Sequence, residues 1–385
     1  MKFFHLSDLH IGKQLHHYNL KEDQEHILRE VIEYAKQISP DAVVIAGDIY
    51  DKSVPSAEAV AVFDDFLTSL AQIEPAIPII MIAGNHDSAQ RLDYASRILG
   101  FHNIFIAGNP PEEKEDYIKK VTLMDEMGEV HFYLLPFLKP GYVKNVLAEP
   151  AESYSEAVAK LIEREQIDWA QRNVLVSHQF YMGNGQIPAT CDSENISVGG
   201  IDQVDIASIR QFDYAALGHL HGAQKVLAEH IRYCGTLLKY SVSEAGQEKS
   251  LHVVTLGEKG SETVIERLPL HPLRNVRKLR GNLADIIEEA KPENKDDYVS
   301  ITLTDEVDPY KPKEQLEKVY THILEIRMDN TRTRQRLEDF QEEIRLASPL
   351  EIFGDFYKEI QGRELSEDEN NIMTEVWRTI QENEE

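Results

Sequence analysis

The chain has 385 residues, is 28% charged and carries a formal net charge of -27. That length exceeds one ordinary core and predicts two domains with a tail. No run approaches the roughly 18 uninterrupted apolar residues of a membrane helix. The start, Met1-Lys2-Phe3-Phe4-His5, lacks a signal peptide's apolar stretch and cleavage site. Cys191 and Cys234 give no disulfide framework, so a cytoplasmic protein is expected, with Cys234 as a small core residue.

In chain order, short β-branched runs at Phe3–Leu6, Val43–Ile45, Ile79–Ile82, Val174–Val176 and Ala215–Leu217 are bounded by Gly or Pro and separated by helical stretches. This is the pattern of parallel strands in a buried sheet. Directly after these runs come Asp8-Leu9-His10, Gly47-Asp48-Ile49-Tyr50-Asp51, Gly84-Asn85-His86-Asp87, Ser177-His178 and Gly218-His219-Leu220-His221. Ligands in such sheets gather beyond the carboxyl ends of the strands. Loops at one sheet edge would therefore pool Asp8, His10, Asp48, Asn85, His178, His219 and His221 as a binuclear metal site.

Two divalent ions about 3.5–4 Å apart generate hydroxide at neutral pH and hold phosphate oxygens. Cations that close need an anionic bridge, and Asp48 is expected to supply it with an oxygen on each metal. Asp8, His10 and His221 would complete one metal; Asn85, His178 and His219 the other. Imidazole, carboxylate and amide oxygen suit Mn²⁺, Fe²⁺ or Zn²⁺ better than Ca²⁺. The absence of nearby cysteine argues against a thiolate zinc site. Taken singly, each piece is more often a capped turn or a satisfied core histidine than a metal site. Their joint occurrence at strand ends points to metal.

Helical periodicity covers residues 22–37 and 56–72. Val60, Phe63, Phe66, Leu67 and Leu70 form a wide apolar stripe, either buried against the sheet or used in a dimer contact. Val121–Met124 and His131–Leu135 flank a hairpin at Glu126-Met127-Gly128-Glu129, and residues 180–200 read as a polar loop near the site. Leu251–Leu256 and Thr263–Leu268 look like a closing hairpin, and Pro269 and Pro272 mark a boundary. The expected division is a catalytic domain at 1–270, a small α+β domain at 271–340 and a helical segment at 346–385. In the second, strands at Val276–Arg280, Tyr298–Leu303 and Ile323–Arg327 alternate with helices at 282–290 and 312–320. Arg274, Arg277, Lys278 and Arg280 are a basic cluster, either a solvated strand face or a DNA contact. In the tail, Leu350, Ile352, Phe353, Phe356, Tyr357 and Ile360 repeat at helical spacing. Gly362 then breaks the helix, Ser366-Glu367-Asp368-Glu369 caps another, and Ile372, Met373, Val376, Trp377 and Ile380 follow. Two such helices must bury their stripes, on this chain or on a partner.

Taken together, Asp-x-His, Gly-Asp-x-x-Asp, Gly-Asn-His-Asp, a lone His and Gly-His-x-His resemble the signature of the calcineurin-like metallophosphoesterases. Within them, Phe4–Gly12, Gly84–Ser88 with Arg91-Leu92, Ala216–His221 and Tyr233–Ser241 through Glu244-Ala245 resemble the SbcD family. The resemblance implies an α/β fold: a two-sheet metallophosphoesterase sandwich with flanking helices, a small α+β capping domain and C-terminal helices. It implies a metal-dependent DNA nuclease subunit of an SbcCD-like complex, acting as a 3′-to-5′ double-strand exonuclease and a single-strand or hairpin endonuclease in repair and recombination. Two divalent ions, Mn²⁺ foremost, would be its cofactors. DNA, an SbcC-like ABC-type ATPase with a coiled coil, and a second copy of the chain would be its partners. His86 would face the phosphate and assist the leaving group. Asp87 would orient that imidazole, or cap the following helix, or both. Phe353, Phe356, Ile372, Val376 and Trp377 would meet the ATPase.

The net charge opposes a stand-alone DNA binder. Residues 341–385 alone carry 13 acidic and four basic side chains, and bound cations or a partner would supply positive charge at the phosphate. The rival readings are another phosphoesterase of the same fold (a cyclic-nucleotide phosphodiesterase, a nucleotidase or a protein phosphatase) or a non-catalytic scaffold. Lys52 after Asp51, and Asp87 in the fourth place of its motif, depart from the protein-phosphatase pattern. A scaffold would be expected to have lost ligands, and none is missing.

Overall fold

In the computed structural model, the described residues are 1–183, 185, 187–194, 202–335 and 349–383. Two six-stranded sheets organise the larger of two compact units, which comprises residues 1–278, 292–300 and 320–324. The first runs Val264–Pro269, Ser250–Thr255, Lys2–Leu6, Ala42–Ala46, Ile79–Ile82, Ile104–Ala107. The second runs Gln224–Val226, Ala228–Tyr233, Tyr214–Gly218, Arg172–His178, Gly128–Leu135, Lys119–Asp125. Within each sheet the central strands are parallel; an antiparallel hairpin closes one edge of the first sheet and both edges of the second.

Side-chain alternation explains the layering. Val44 and Ala46 point between the sheets, where they join Phe3, Ile80, Ile82, Phe132, Val174, Val176 and Ala216. Their neighbours Val43 and Ile45 point to the opposite face, against helices Lys21–Ile38 and Ala57–Ala71. On the outer face of the second sheet, Val158, Leu161 and Ile162 of helix Tyr154–Arg164 cover Leu175, Ala215 and Leu217. The chain is thus an α/β sandwich of two sheets flanked by helices. The apolar stripe of the second helix is mostly spent on this core: Phe63, Phe66 and Leu70 are buried, while Val60 is 44% exposed.

Some elements escaped the sequence reading. Ile104–Ala107 is only four residues long, and Ala228–Tyr233 (AEHIRY) is a parallel strand without a continuous apolar run. Helix Tyr154–Arg164 did carry a signal, since the Ser153 hydroxyl accepts the Glu156 N–H at 3.1 Å. The segment expected to be a loop over 180–200 opens instead with strand Phe180–Met182, paired to Gln203–Asp205.

The second unit comprises residues 279–291, 301–319 and 325–385. Strands Val276–Gly281, Tyr298–Leu303 and His322–Met328 form a three-stranded sheet, with short helices at Leu283–Glu288 and Pro312–Leu316. Helix Pro349–Gln361 ends at Gly362, whose φ of +67° only glycine adopts without strain. Ser366 and Glu369 cap the start of helix Glu367–Asn383 reciprocally, and the Tyr357 hydroxyl donates to Glu369 at 2.7 Å, tying the pair together. Phe353 and Trp377 are half-buried, whereas Phe356, Ile372 and Val376 are 59%, 61% and 45% exposed. Of the basic cluster, Arg274 pairs with Asp23 at 2.8 Å and Glu22 at 2.6 Å, Arg277 with Asp297 at 3.6 Å, and Arg280 with Asp329. Lys278 is exposed. Among the described residues, no helix is long and apolar enough to cross a membrane.

Candidate metal centre

Instead of five loops at one sheet edge, strand ends of both sheets converge. Lys2–Leu6, Ala42–Ala46 and Ile79–Ile82 deliver Asp8, His10, Asp48 and Asn85. Arg172–His178 and Tyr214–Gly218 deliver His178, His219 and His221. The backbone there is contorted: Asp8, His10, Asp48 and His219 have φ of 52°, 44°, 49° and 108°. Non-glycine residues adopt such angles only when surrounding structure enforces them. Here the enforcement is backbone pairing between loops, with Asp8 N–H donating to Gly47 C=O and His10 N–H to Asp48 C=O, both at 3.0 Å. Gly84 is obligatory because any Cβ would overlap the Asp48 carboxylate.

Lone pairs meet at the centre. Asn85 Oδ1 lies 3.0 Å from His178 Nε2 and 3.0 Å from His219 Nδ1. His10 Nε2 and His221 Nε2 are 3.1 Å apart. Asp48 Oδ2 stands 3.6 Å from His10 Nε2 and 3.4 Å from His178 Nε2. This single oxygen faces both halves, while Oδ1 accepts the His86 N–H at 2.9 Å. Asp8, 4.0 Å from His178, accepts the His219 N–H on both oxygens.

These spacings suit cations. His178 Nδ1–H donates to the Ala46 carbonyl at 2.7 Å, so the neutral ring turns an Nε2 lone pair towards other acceptors. Burial lowers the His178 pKa, yet Asp48 and Asp8 push it up to about 9, so this buried anionic pocket draws in positive charge. A divalent cation meets the same demand as that proton. Asp8, His10 and His221 offer atoms within reach of one ion, as do Asp8, Asp48 and His178, and the residues present fit a binuclear centre. Burial raises the Asp8 pKa and holds His10 well below its ordinary value; burial and His178 hold His219 down at about 3.

His86 is held differently from expectation. Its Nδ1–H donates to the Asp51 carbonyl at 2.8 Å, and its ring lies edge-on to His10 at 4.8 Å. Asp87 is occupied with backbone, accepting N–H groups of Tyr50 and Gly84 at 2.9 Å and Ile49 at 3.1 Å. It thereby clamps two ligand loops together, and the orienting of His86 falls to a main-chain carbonyl. Burial and the Asp48 charge push the Asp87 carboxyl up to about 6. Sequence reasoning also gave no role to Asp51, whose carboxylate pairs with Lys13 at 2.7 Å and sits 3.7 Å from His10 Nδ1. Ser193, Glu194, Glu244 and Lys249 around His221 were likewise not singled out, although Glu244 stands in the stretch that resembles the SbcD family. Beside the centre opens a cleft of about 830 Å³, lined by Asn85, Asp87, His219, Lys139, Tyr142 and Asn145 among others.

Comparison with known proteins agrees with this chemistry. The calcineurin-like phosphoesterase family model matches residues 1–223, a span holding every expected metal ligand. A second model, the type 5 capsule protein repressor C-terminal domain, matches residues 269–361. The SbcD subunit of the SbcCD nuclease of Staphylococcus epidermidis is 34% identical over 375 residues, 95% of each chain. Among solved structures, a dimetal phosphatase from Danio rerio aligns with 69% of this chain and 98% of its own, at 12% identity and a TM-score of 0.38. GAP50, the anchor in the inner membrane complex of Plasmodium, covers 70% of this chain and 89% of its own, at 12% and 0.37.

Proposed function

The chain belongs to the calcineurin-like phosphoesterases and, within them, to the SbcD family, and from that premise we propose that it is the DNA nuclease of an SbcCD-type complex. The observation that carries the reading is the convergence, in a buried anionic pocket, of carboxylate, amide and imidazole acceptors 3.0–3.6 Å apart. Asp8, His10 and His221 would hold one divalent ion and Asn85, His178 and His219 the other, with Asp48 between them. When bound, such ions activate water and withdraw charge from phosphate oxygens. The donor set suits Mn²⁺, Fe²⁺ or Zn²⁺ better than Ca²⁺, and Mn²⁺ is the ion proposed from the family.

The residues do the rest. The Asp51 carbonyl accepts from His86 Nδ1 and holds the ring in place, and His86 exchanges a proton with the departing oxygen. Asp87 keeps the loops carrying Asp48 and His86 in register. The substrate is DNA, cut from duplex 3′ ends and within hairpins or single strands, and the protein works in the cytoplasm. Exposed Phe356, Ile372 and Val376 on the terminal helices support docking on the coiled coil of an SbcC-type ATPase. Tyr94, Ile98 and Phe101, exposed by 82%, 64% and 88% just after the Gly84–Asp87 loop, support pairing with a second copy.

The test is cleavage of an end-labelled duplex and a hairpin, with Mn²⁺ or with chelator, alone and with the cognate ATPase. Mn²⁺-dependent loss of both substrates is expected. Hydrolysis of cyclic nucleotides or nucleoside monophosphates, with DNA untouched, would overturn the reading.

A further inference from the structure

Every polar atom of His221 is engaged. Its N–H donates to Glu194 Oε1 at 2.6 Å, and its carbonyl accepts the Thr236 N–H at 3.1 Å and Lys249 Nζ at 2.9 Å. Nε2 faces His10, and Nδ1 lies 2.7 Å from the Ser193 hydroxyl. That hydroxyl is also 2.6 Å from Glu244 Oε1. Glu244 is completely buried, and its other oxygen meets Lys249 Nζ at 2.7 Å. Oε1 further accepts the Ser241 hydroxyl at 2.9 Å and the Tyr240 N–H at 3.2 Å.

Proton directions along this chain follow from charge. A carboxylate paired with a buried ammonium is ionised and can only accept. Ser193 has one hydroxyl proton, and at 2.6 Å from a carboxylate oxygen it must point there. The serine oxygen is then an acceptor towards His221, so Nδ1 carries the imidazole proton. Glu244 itself is 3.8 Å from Nδ1, too far for a direct bond, and the serine bridges the gap.

We infer that Glu244 is a positioning residue which, through Ser193, fixes the His221 proton on Nδ1 and so keeps the Nε2 lone pair free for a cation. This rests on the metal-centre reading above for its purpose, though not for its geometry. It also gives work to the Tyr233–Ala245 stretch: Thr236, Tyr240, Ser241 and Glu244 converge on this histidine or on the carboxylate behind it. Replacing any link lets the ring rotate or the proton move to Nε2, where it occupies the ligand position. Outer hydrogen-bond partners of this kind are worth roughly 10–100-fold in metal affinity.

The experiment uses the full chain with its histidines ¹⁵N-labelled. Long-range ¹H–¹⁵N correlation on the metal-free protein distinguishes the two tautomers, His221→Gln identifies the resonance, and Mn²⁺ titration calorimetry reads affinity. The wild type should show the Nδ1–H form. Ser193→Ala, on a half-buried loop, should lose that form and bind Mn²⁺ about 10–100-fold more weakly with an unchanged melting temperature. Ser193→Thr, which keeps the hydroxyl, should restore both. Glu244→Gln can donate to the serine oxygen and should turn the hydroxyl onto Nδ1, giving the Nε2–H form. A wild-type Nε2–H form, or unchanged tautomer and affinity in Ser193→Ala, overturns the inference and leaves the metal reading intact. A wild type with the Nδ1–H form that takes up no Mn²⁺ overturns the metal reading and leaves the hydrogen-bond assignment standing.

Discussion

His5 and His252 sit opposite each other on paired strands, rings 6.1 Å apart, as deeply buried as the histidines of the metal centre. His5 Nδ1 bonds the Tyr214 hydroxyl at 2.9 Å, while both His252 ring nitrogens lack a hydrogen-bond partner among the described residues. The charges acting on His252 are those of Arg232 and Arg267, which add to burial and hold it down at about 3. At His178 the same burial is overcome by Asp48 and Asp8. Burial alone thus makes a histidine a neutral filler between sheets. Carboxylates aimed at the ring make it half of a cation site.

The contrast breaks most completely at Asp48. Asp48→Asn removes the oxygen shared by both halves, and Mn²⁺ affinity should fall by more than the roughly 10–100-fold typical of an outer hydrogen-bond partner, with cleavage lost. Calorimetry showing two ions bound with full turnover would end the binuclear assignment. His86→Gln should come next: on the proposal that His86 exchanges a proton instead of binding metal, cleavage should slow by about 10²–10⁴-fold while both ions stay. Loss of metal in that variant would make His86 a ligand.

The filler pair has its own signature, in pH. Both folded pKa values lie below the unfolded value near 6.5, so between them the unfolded chain binds more protons and acid favours unfolding. Stability from each is present above about pH 6.5 and declines below it by about 1.4 kcal/mol per pH unit. His252→Leu should therefore unfold in urea with a shallower acid slope than the wild type, both metal-free, by about 2 kcal/mol between pH 6.5 and 5. Equal slopes would mean that His252 is protonated in the fold. The smallest effect on the metal centre should come from deleting residues 346–385. Mn²⁺-dependent cleavage of short single strands should persist, while pull-down of the SbcC-type coiled coil should fail. A truncated chain that still captures the ATPase would move the partner surface elsewhere.

What the sequence made legible was the set of converging residues, because each ligand follows a strand whose apolar run is itself readable. The positions of Asp8, His10, Asp48, Asn85, His178, His219 and His221 needed only that rule. The second sheet was hidden from spacing alone, since Ala228–Tyr233 is too polar to announce itself, and the two-sheet sandwich came from the family resemblance. The work of Asp87 was hidden for another reason: the N–H groups it satisfies, on Ile49 and Tyr50, become orphans only once the loops are placed. Ion pairing was equally invisible, with the acids that meet Arg274 lying some 250 positions upstream. Local pattern encodes which residues arrive, and long-range pairing decides what each does on arrival.

Because ligands come from both sheets, the site is assembled late in the life of each molecule. His10 and His221 are 211 positions apart, and the first strand pairs with Ser250–Thr255. At about 5–20 residues per second, a ribosome emits the early ligands some 10–40 s before the last. Throughout that interval Asp8, His10, Asp48 and Asn85 emerge as an incomplete set, open to whichever cation is most abundant or most avid. Which metal the finished protein carries is then partly a matter of timing, and loading during synthesis and loading after folding need not give the same enzyme.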